Sequence, residues 1–435
     1  MSSHGSEPRL RRQLSLLDAV SVGLGAIIGA GIFVVIGLAA GLAGPAVVLS
    51  VIISGVSATF TALSFCELGA SIPRAGGVYE YGHTLIHPLV GFVMGWMWVS
   101  GNIILGATAS LSFGFYLASA FPWVDPKLGA VLLILSVTLV NVLGAKLSAG
   151  VNNVIVAGKV LALTVFVLVG VFGINPSHFQ NFMPRGFLPV LTAAGLFYFA
   201  YIGFPRISTM AEEIVNQEEN IPKAILLALY ISMALYVATA VVAVGLVGYE
   251  SLASSTAPIA TAAERLRVKP VVEAGALLAT FSVALTSVMG QSRVFFAMAR
   301  NREVPYRLAS VPERFGTPEY SILLSGALML ALALSMDISG LASLTSFSVL
   351  FTHVLTNIAA IELRAAGRPR KSYSLRGVPV HAYLGAFLSL VLSLSLGLAT
   401  VIAGLLNMAL AVAWYYSYKL LIGSRRNHLA ATEPA

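Results

Sequence analysis

Apolar stretches long enough to cross a bilayer recur along nearly the whole of this chain. A hydrocarbon core of ~30 Å needs about 20 apolar residues per helical crossing. Only 10% of the 435 residues are charged, against roughly 25% in a soluble domain. The strict alternation of a membrane β-barrel is absent. The crossings are therefore predicted to be helices, whose backbone groups are satisfied internally, and the fold class to be an all-α membrane protein.

The pattern predicts twelve spans, at 15–42, 45–71, 86–121, 128–146, 150–174, 187–214, 221–248, 270–300, 319–336, 340–364, 381–399 and 402–422. No connecting loop is long enough for a soluble domain. Residues 1–14 and 423–435 read as cytoplasmic tails, without order over 1–12 and 424–435. The first apolar run is too long for a signal-peptide core and is expected to be retained. Ser15 and Asp18, at its start, have the spacing of a capping box. Cys66 is the only cysteine, so the chain forms no internal disulfide.

The net charge of +8 follows topology and does not indicate nucleic-acid binding. With the N-terminus in the cytoplasm, 19 of the 26 Lys and Arg fall on the cytoplasmic side, among them Arg9, Arg368, Arg370, Lys371 and Arg376. Five fall in outer loops, a bias that places both termini inside. The two that belong to neither side are Lys159 and Arg206, each within an apolar span.

Span 1 contains Gly25, Gly29 and Gly31, and each glycine weakens a helix by about 1 kcal/mol against Ala. The spacing suits close helix packing. It equally suits an unwound segment whose free amides and carbonyls could hold a zwitterion. Span 6 supplies a second break, where Gly203 and Pro205 interrupt the helix. Interruptions in the first and sixth spans are the pattern of a five-plus-five inverted repeat with a central site. The repeats would be 15–174 and 187–364, followed by a final pair at 381–422.

The motifs GAIIGAGIF (25–33), ELGASIPRAGGVYEY (67–81), FYFAYIGF (197–204), AEEIVNQEENIPKAI (211–225), GQSRVFFAMARN (290–301) and FGTPEYS (315–321) occur together and in order. In this the chain resembles the amino acid–polyamine–organocation (APC) transporters, which have the LeuT-like fold. The resemblance implies that the amides of Gly29, Ala30 and Gly31 bind a substrate carboxylate, and that the carbonyls of Ile27 and Ile202 receive its ammonium. Phe199 would gate the site, and Asn102 in span 3 would meet the substrate side chain. Asn102 could instead make a helix–helix hydrogen bond. Where many members carry an acid after the span 6 Gly-Phe pair, this chain has Pro205-Arg206. Arg206 is expected to open a helix running toward the cytoplasmic surface and to pair with Glu212 or Glu213, with a gate as the alternative.

Lys159 lies about ten residues into span 5, so at ~1.5 Å per residue it is near the midplane. A central lysine costs about 2.5–3.5 kcal/mol to insert, and its side chain does not reach either face. A buried amine facing carbonyls holds an exchangeable proton. The resemblance further implies that a span 5 lysine can stand where sodium-driven relatives hold their cation. Its partners would be Gly25 and a span 8 hydroxyl, Ser282 first and Thr286 second, with Ser287 as a third candidate.

Other ionisable residues carry weaker expectations. His353, inside span 10, is a pH sensor or a hydrogen-bonded packing residue. His83 and His87 have metal-ligand spacing without a third ligand, so no metal or cofactor is expected. Glu67 and Arg74 are expected to orient a loop, and Asp18 to cap span 1, with a place in a cytoplasmic gate network as the alternative. No cluster of intramembrane His, Asp or Glu suggests an enzyme.

The expected function is amino acid transport across the plasma membrane, with protons coupled through Lys159. The alternative is an exchanger in which Lys159 is a fixed charge. A site of Gly, Ala, Ile, Phe and Tyr favours a neutral or apolar substrate. The expected partners are that amino acid, protons and the lipid bilayer, with no nucleic acid and no obligate protein partner evident.

Overall fold

The computed structural model describes residues 10–121, 123–255, 257–335, 341–367, 369, 373 and 377–430. Arg9, Arg368, Arg370, Lys371 and Arg376, counted above with the cytoplasmic side, lie outside them, as do most of the N-terminal tail and 431–435. No strand forms among the described residues; Leu14 and Ile214 make an isolated parallel bridge.

Helices follow one another as α1 (Leu16–Ile27), α2 (Ile36–Ala43), α3 (Val47–Ser71), α4 (Val78–Leu85), α5 (Pro88–Ala120), α6 (Pro126–Val142), α7 (Ala145–Gly170) and α8 (Phe187–Phe197). They continue as α9 (Arg206–Thr209), α10 (Gln217–Ser254), α11 (Pro258–Glu264), α12 (Lys269–Arg300), α13 (Glu319–Ser335), α14 (Leu341–Ala365), α15 (Val380–Leu394) and α16 (Leu398–Ala430). Among the described residues, eight stretches are long and apolar enough to cross a membrane, and α6, α13 and α15 are shorter apolar helices. The first stretch, Leu16–Ser71, has 56 residues; at 1.5 Å per residue it is about 84 Å long, far more than one crossing. It turns at Gly44–Ala46, where Gly44 takes φ +66° and Pro45 prevents the helix from continuing.

Exposed leucines on α6 (Leu132, Leu135, Leu139), α7 (Leu161, Leu168) and α16 (Leu406, Leu410, Leu420) give the molecule an apolar outer surface. Such a surface suits lipid and not water. The interior is built around α12, which is buried along most of its length and packs on α5, α7, α6, α13 and α1.

Two interruptions decide what this interior can do. α1 stops at Ile27, Ile28 is extended (φ −76°, ψ 101°), and Gly31–Val35 form a π-helical turn before α2. α8 stops at Phe197 and gives way to a 3₁₀ turn over Tyr198–Tyr201, after which α9 starts at Arg206 behind Pro205.

In the described parts of the two tails, residues 10–12 and 424–430, order stands where disorder was expected. Leu10 and Leu14 are buried. The amides of Gln13 and Leu14 both donate to the Glu213 carbonyl, at 2.9 and 2.8 Å, and Val215 donates back to Leu14. The backbone of α16 stays helical to Ala430. Extended tails gain order when their backbone finds partners, as residues 13 and 14 do on the exit from α9.

Candidate functional site

The two interruptions face each other. Gly31 lies against Ala200, whose Cα would be 2.5 Å from an added Cβ, and Gly203 lies against the backbone of Ala26 and Ile27. Glycine is required at both places because any side chain would enter the opposite chain. Tyr236 of α10 straddles the junction, its hydroxyl donating to the Ile27 carbonyl at 2.6 Å, with the Ala200 carbonyl at 3.2 Å. The carbonyl expected to receive a substrate ammonium therefore already has a donor. Gly29, Ala30, Phe199 and Ile202 are buried at the same junction.

Ending α1 at Ile27 strands its last carbonyls, which in a continuous helix would accept from amides four residues on. Lys159 of α7 supplies the missing donor. Its ammonium nitrogen lies 2.9 Å from the Gly25 carbonyl and 2.5 Å from that of Ile28. A cation is favoured here because partial negative charge accumulates at a helix C-terminus. Ser282 of α12 reaches the same Gly25 oxygen at 3.0 Å and the Asn152 Oδ1 at 2.6 Å. Asn152 in turn donates to the Ser21 carbonyl at 2.6 Å.

Lys159, Gly25 and Ser282 thus come together, with Ser282 meeting the lysine through a shared acceptor. Ile28 and Asn152 join them without having been expected. Asn152 lies seven residues before Lys159, two turns along one face of an apolar helix, and that spacing was a usable signal. Thr286 does not join Lys159. It lies one turn further along α12 and belongs to a second cluster.

That cluster corrects the expectation for Arg206. The side chain is fully buried and turns inward, away from the acids that follow it. Its Nε and one Nη donate to Asn102 Oδ1 at 3.2 and 2.7 Å, and further donations reach Thr286 at 2.9 Å and Ser287 at 2.9 Å. Glu212 pairs instead with Arg300 at 3.0 Å, and Glu213 with Arg293 at 2.8 Å. The cause is local. The 3₁₀ turn and Pro205 rotate α9 so that position 206 faces α5 and α12, while the turn at Ala211–Glu213 carries the acids past it. Asn102, expected to meet a substrate, spends its oxygen on Arg206 and its amide on the Trp98 carbonyl.

His353 accepts or donates at Nδ1 to Tyr198, 2.7 Å away, amid Phe65, Phe204 and Trp98. The remaining expected residues form a layer at one end. Glu67 pairs with Arg364 and accepts from the Tyr373 amide at 2.7 Å. Asp18 completes a capping box with Ser15 and accepts from Asn153 at 2.8 Å. His83 lies 3.5 Å from Glu303 and His87 caps α5, and among the described residues no group of three ligands could hold a metal. Glu80, on α4 outside the crossing segments, has its carboxyl raised above the ordinary range by burial, against the pull of Arg300, Arg74 and His83. A cavity of about 600 Å³ opens at this end, lined by Arg12, Arg74, Glu80, Glu212 and Arg300.

The chain matches the family model for amino acid permeases over residues 18–430. An uncharacterised transporter of Mycobacterium tuberculosis is 36% identical over 413 residues, 93% of this chain and 91% of its own. A branched-chain amino acid permease of Bacillus subtilis is 30% identical over 443 residues, 96% of this chain and 95% of its own. The vacuolar cationic amino acid transporter 4 of Arabidopsis thaliana is 30% identical over 383 residues, 82% of this chain and 64% of its own.

Proposed function

The chain belongs to the amino acid permease family, and on that premise we propose that it moves amino acids across the plasma membrane by alternating access, coupled to protons at Lys159. In this reading the fold is a LeuT-like five-plus-five repeat of twelve crossings with both termini cytoplasmic. Substrate lies at the junction of the two interrupted helices. The amides of Gly29, Ala30 and Gly31 face its carboxylate, while Ile202 and Phe199 close over it. A neutral or apolar side chain suits this lining.

The observation that carries the reading is Lys159 on the Gly25 and Ile28 carbonyls. As an ammonium it clamps the end of α1 to α7. As a neutral amine it has a lone pair and weaker donors, so the clamp loosens and the inner half of α1 can tilt. A proton arriving from one side and leaving to the other would thereby be tied to the change of access. The same geometry supports a second reading, exchange with Lys159 as a permanent charge. Both its acceptors are neutral carbonyls, and the hydroxyl nearest in the cluster, Ser282, is itself held by Asn152.

Uptake of labelled amino acid into proteoliposomes separates the two. Proton coupling predicts accumulation driven by an inward pH gradient, abolished by collapsing it and absent in Lys159→Ala. Exchange predicts uptake only when amino acid is preloaded, with no response to the gradient. Gradient-independent net uptake by the unaltered protein would overturn the proton-coupled reading.

A further inference from the structure

Arg206 is the part of the junction that proton coupling does not use. It lies three residues beyond Gly203, which abuts the first interruption, and its stem rests on α12 at Gly290, where an added Cβ would be 3.2 Å from Arg206 Cγ. Its partner Thr286 and the lysine's neighbour Ser282 are four residues apart on α12, and Thr286 donates to the Ser282 carbonyl at 2.8 Å. Two basic side chains, Lys159 and Arg206, therefore sit on successive turns beside the same pair of interrupted helices.

Among the described residues, neither bonds to an acid. Arg206 is satisfied by an amide oxygen and two hydroxyls, Lys159 by two carbonyls. Among the described residues, the nearest acids along the chain are already paired, Glu212 with Arg300 and Glu213 with Arg293. Neutral acceptors solvate a guanidinium without cancelling its charge, and arginine does not deprotonate in proteins. In an interior of low dielectric that charge acts over several ångströms with little screening. Further uncommitted polar groups lie alongside. Trp98 Nε1 and the hydroxyls of Thr345 and Ser348 are buried without a hydrogen-bond partner, and Ser348 packs against Gly101, next to Asn102.

We propose that Arg206 is a specificity-determining residue, a fixed positive charge at the substrate junction that turns away amino acids with cationic side chains. The proposal rests on the amino acid transport reading above and sharpens it. It predicts a site that takes neutral side chains but not lysine or arginine. It also gives an acidic side chain an advantage over its neutral isostere.

Isosteric pairs isolate the charge. Arginine against citrulline, and glutamate against glutamine, differ little in shape, so a residue acting only on the fold would change both members of a pair alike. The measurement is inhibition of substrate uptake, or ligand-induced thermal stabilisation, for the full-length protein and for Arg206→Met and Arg206→Lys. In the unaltered protein citrulline should compete at least about tenfold better than arginine, a difference of ~1.4 kcal/mol. In Arg206→Met that ratio should fall to about threefold or less, and the glutamate-to-glutamine ratio should fall with it. Arg206→Lys, which keeps the charge, should keep the arginine–citrulline ratio even if its affinities drop. Equal competition by arginine and citrulline in the unaltered protein would overturn the proposal, as would ratios that Arg206→Met leaves unchanged. Failure of every amino acid to bind or be transported would instead overturn the transport reading.

Discussion

The pair Arg293–Glu213 offers the sharpest test of how the interior is held together. Arg293 donates through Nε at 2.8 Å and through an Nη at 3.2 Å to the two carboxylate oxygens, with both side chains at 1% exposure or less. Breaking a buried pair from one side costs about 3–5 kcal/mol because a charge is left uncompensated, whereas replacing both partners with apolar residues is often close to neutral. The two halves are not equivalent here. Arg293 also donates to the Met289 carbonyl at 3.2 Å and to Ser292 at 3.0 Å. Among the described residues, the Glu213 carboxylate accepts only from Arg293.

Arg293→Met should therefore destabilise by the upper part of that range, ~4–5 kcal/mol. Glu213→Leu, which leaves a guanidinium with two other acceptors, should cost ~3 kcal/mol. The double substitution should return to within about 1 kcal/mol of the parent, a coupling far above the few tenths expected of independent sites. Equilibrium unfolding in mixed micelles of rising sodium dodecyl sulfate content measures all four corners of the cycle. A double variant as unstable as the sum of its singles would refute the reasoning, and the opposite order of the singles would refute the asymmetry.

Two further outcomes follow from single positions. A carboxyl whose folded-state value is raised, as for Glu80, lowers stability once pH passes above that value, and the penalty fades as pH falls toward the ordinary carboxylate range. Glu80→Gln should thus raise the melting temperature relative to the parent more at pH 8 than at pH 5, and a reversed pH trend in thermal melts would contradict this. Gly203→Ala would drive a methyl into the Ala26–Ile27 backbone, an overpacking of about 1–3 kcal/mol, and should weaken substrate binding at least about tenfold. Gly150→Ala, at a position with open space, is the matched control and should leave binding within about twofold.

Most of the architecture was legible because the bilayer imposes it. Length and hydropathy alone mark the apolar helices, and glycine and proline mark the two interruptions near the residues where the helices stop. Lys159 stood out because a charge count leaves it without a loop. The particular acceptors were less legible. Which carbonyls an interrupted helix exposes depends on the torsions of Ile28, and the glycines that follow it, Gly29 and Gly31, lie against Val283 and Ala200, contacts that local sequence does not record. Arg206 misled because Glu212 and Glu213 follow it closely and look like partners. The single turn of α9 and the 3₁₀ turn at Ala211–Glu213 were enough to aim them elsewhere, and no periodicity of the apolar residues records that rotation.

The bridge between Leu14 and Ile214 has a mechanical consequence. The start of α1 is pinned there to the exit of α9, through the donations of Gln13 and Leu14 to Glu213. The far end of α1 is pinned again where Gly203 meets Ala26 and Ile27. Two rods fastened at two points no longer hinge separately; the pair can only swing as one lever. A force applied to either short half-helix is therefore delivered to both, so Lys159, by gripping the tip of α1, has leverage over α9 without touching it.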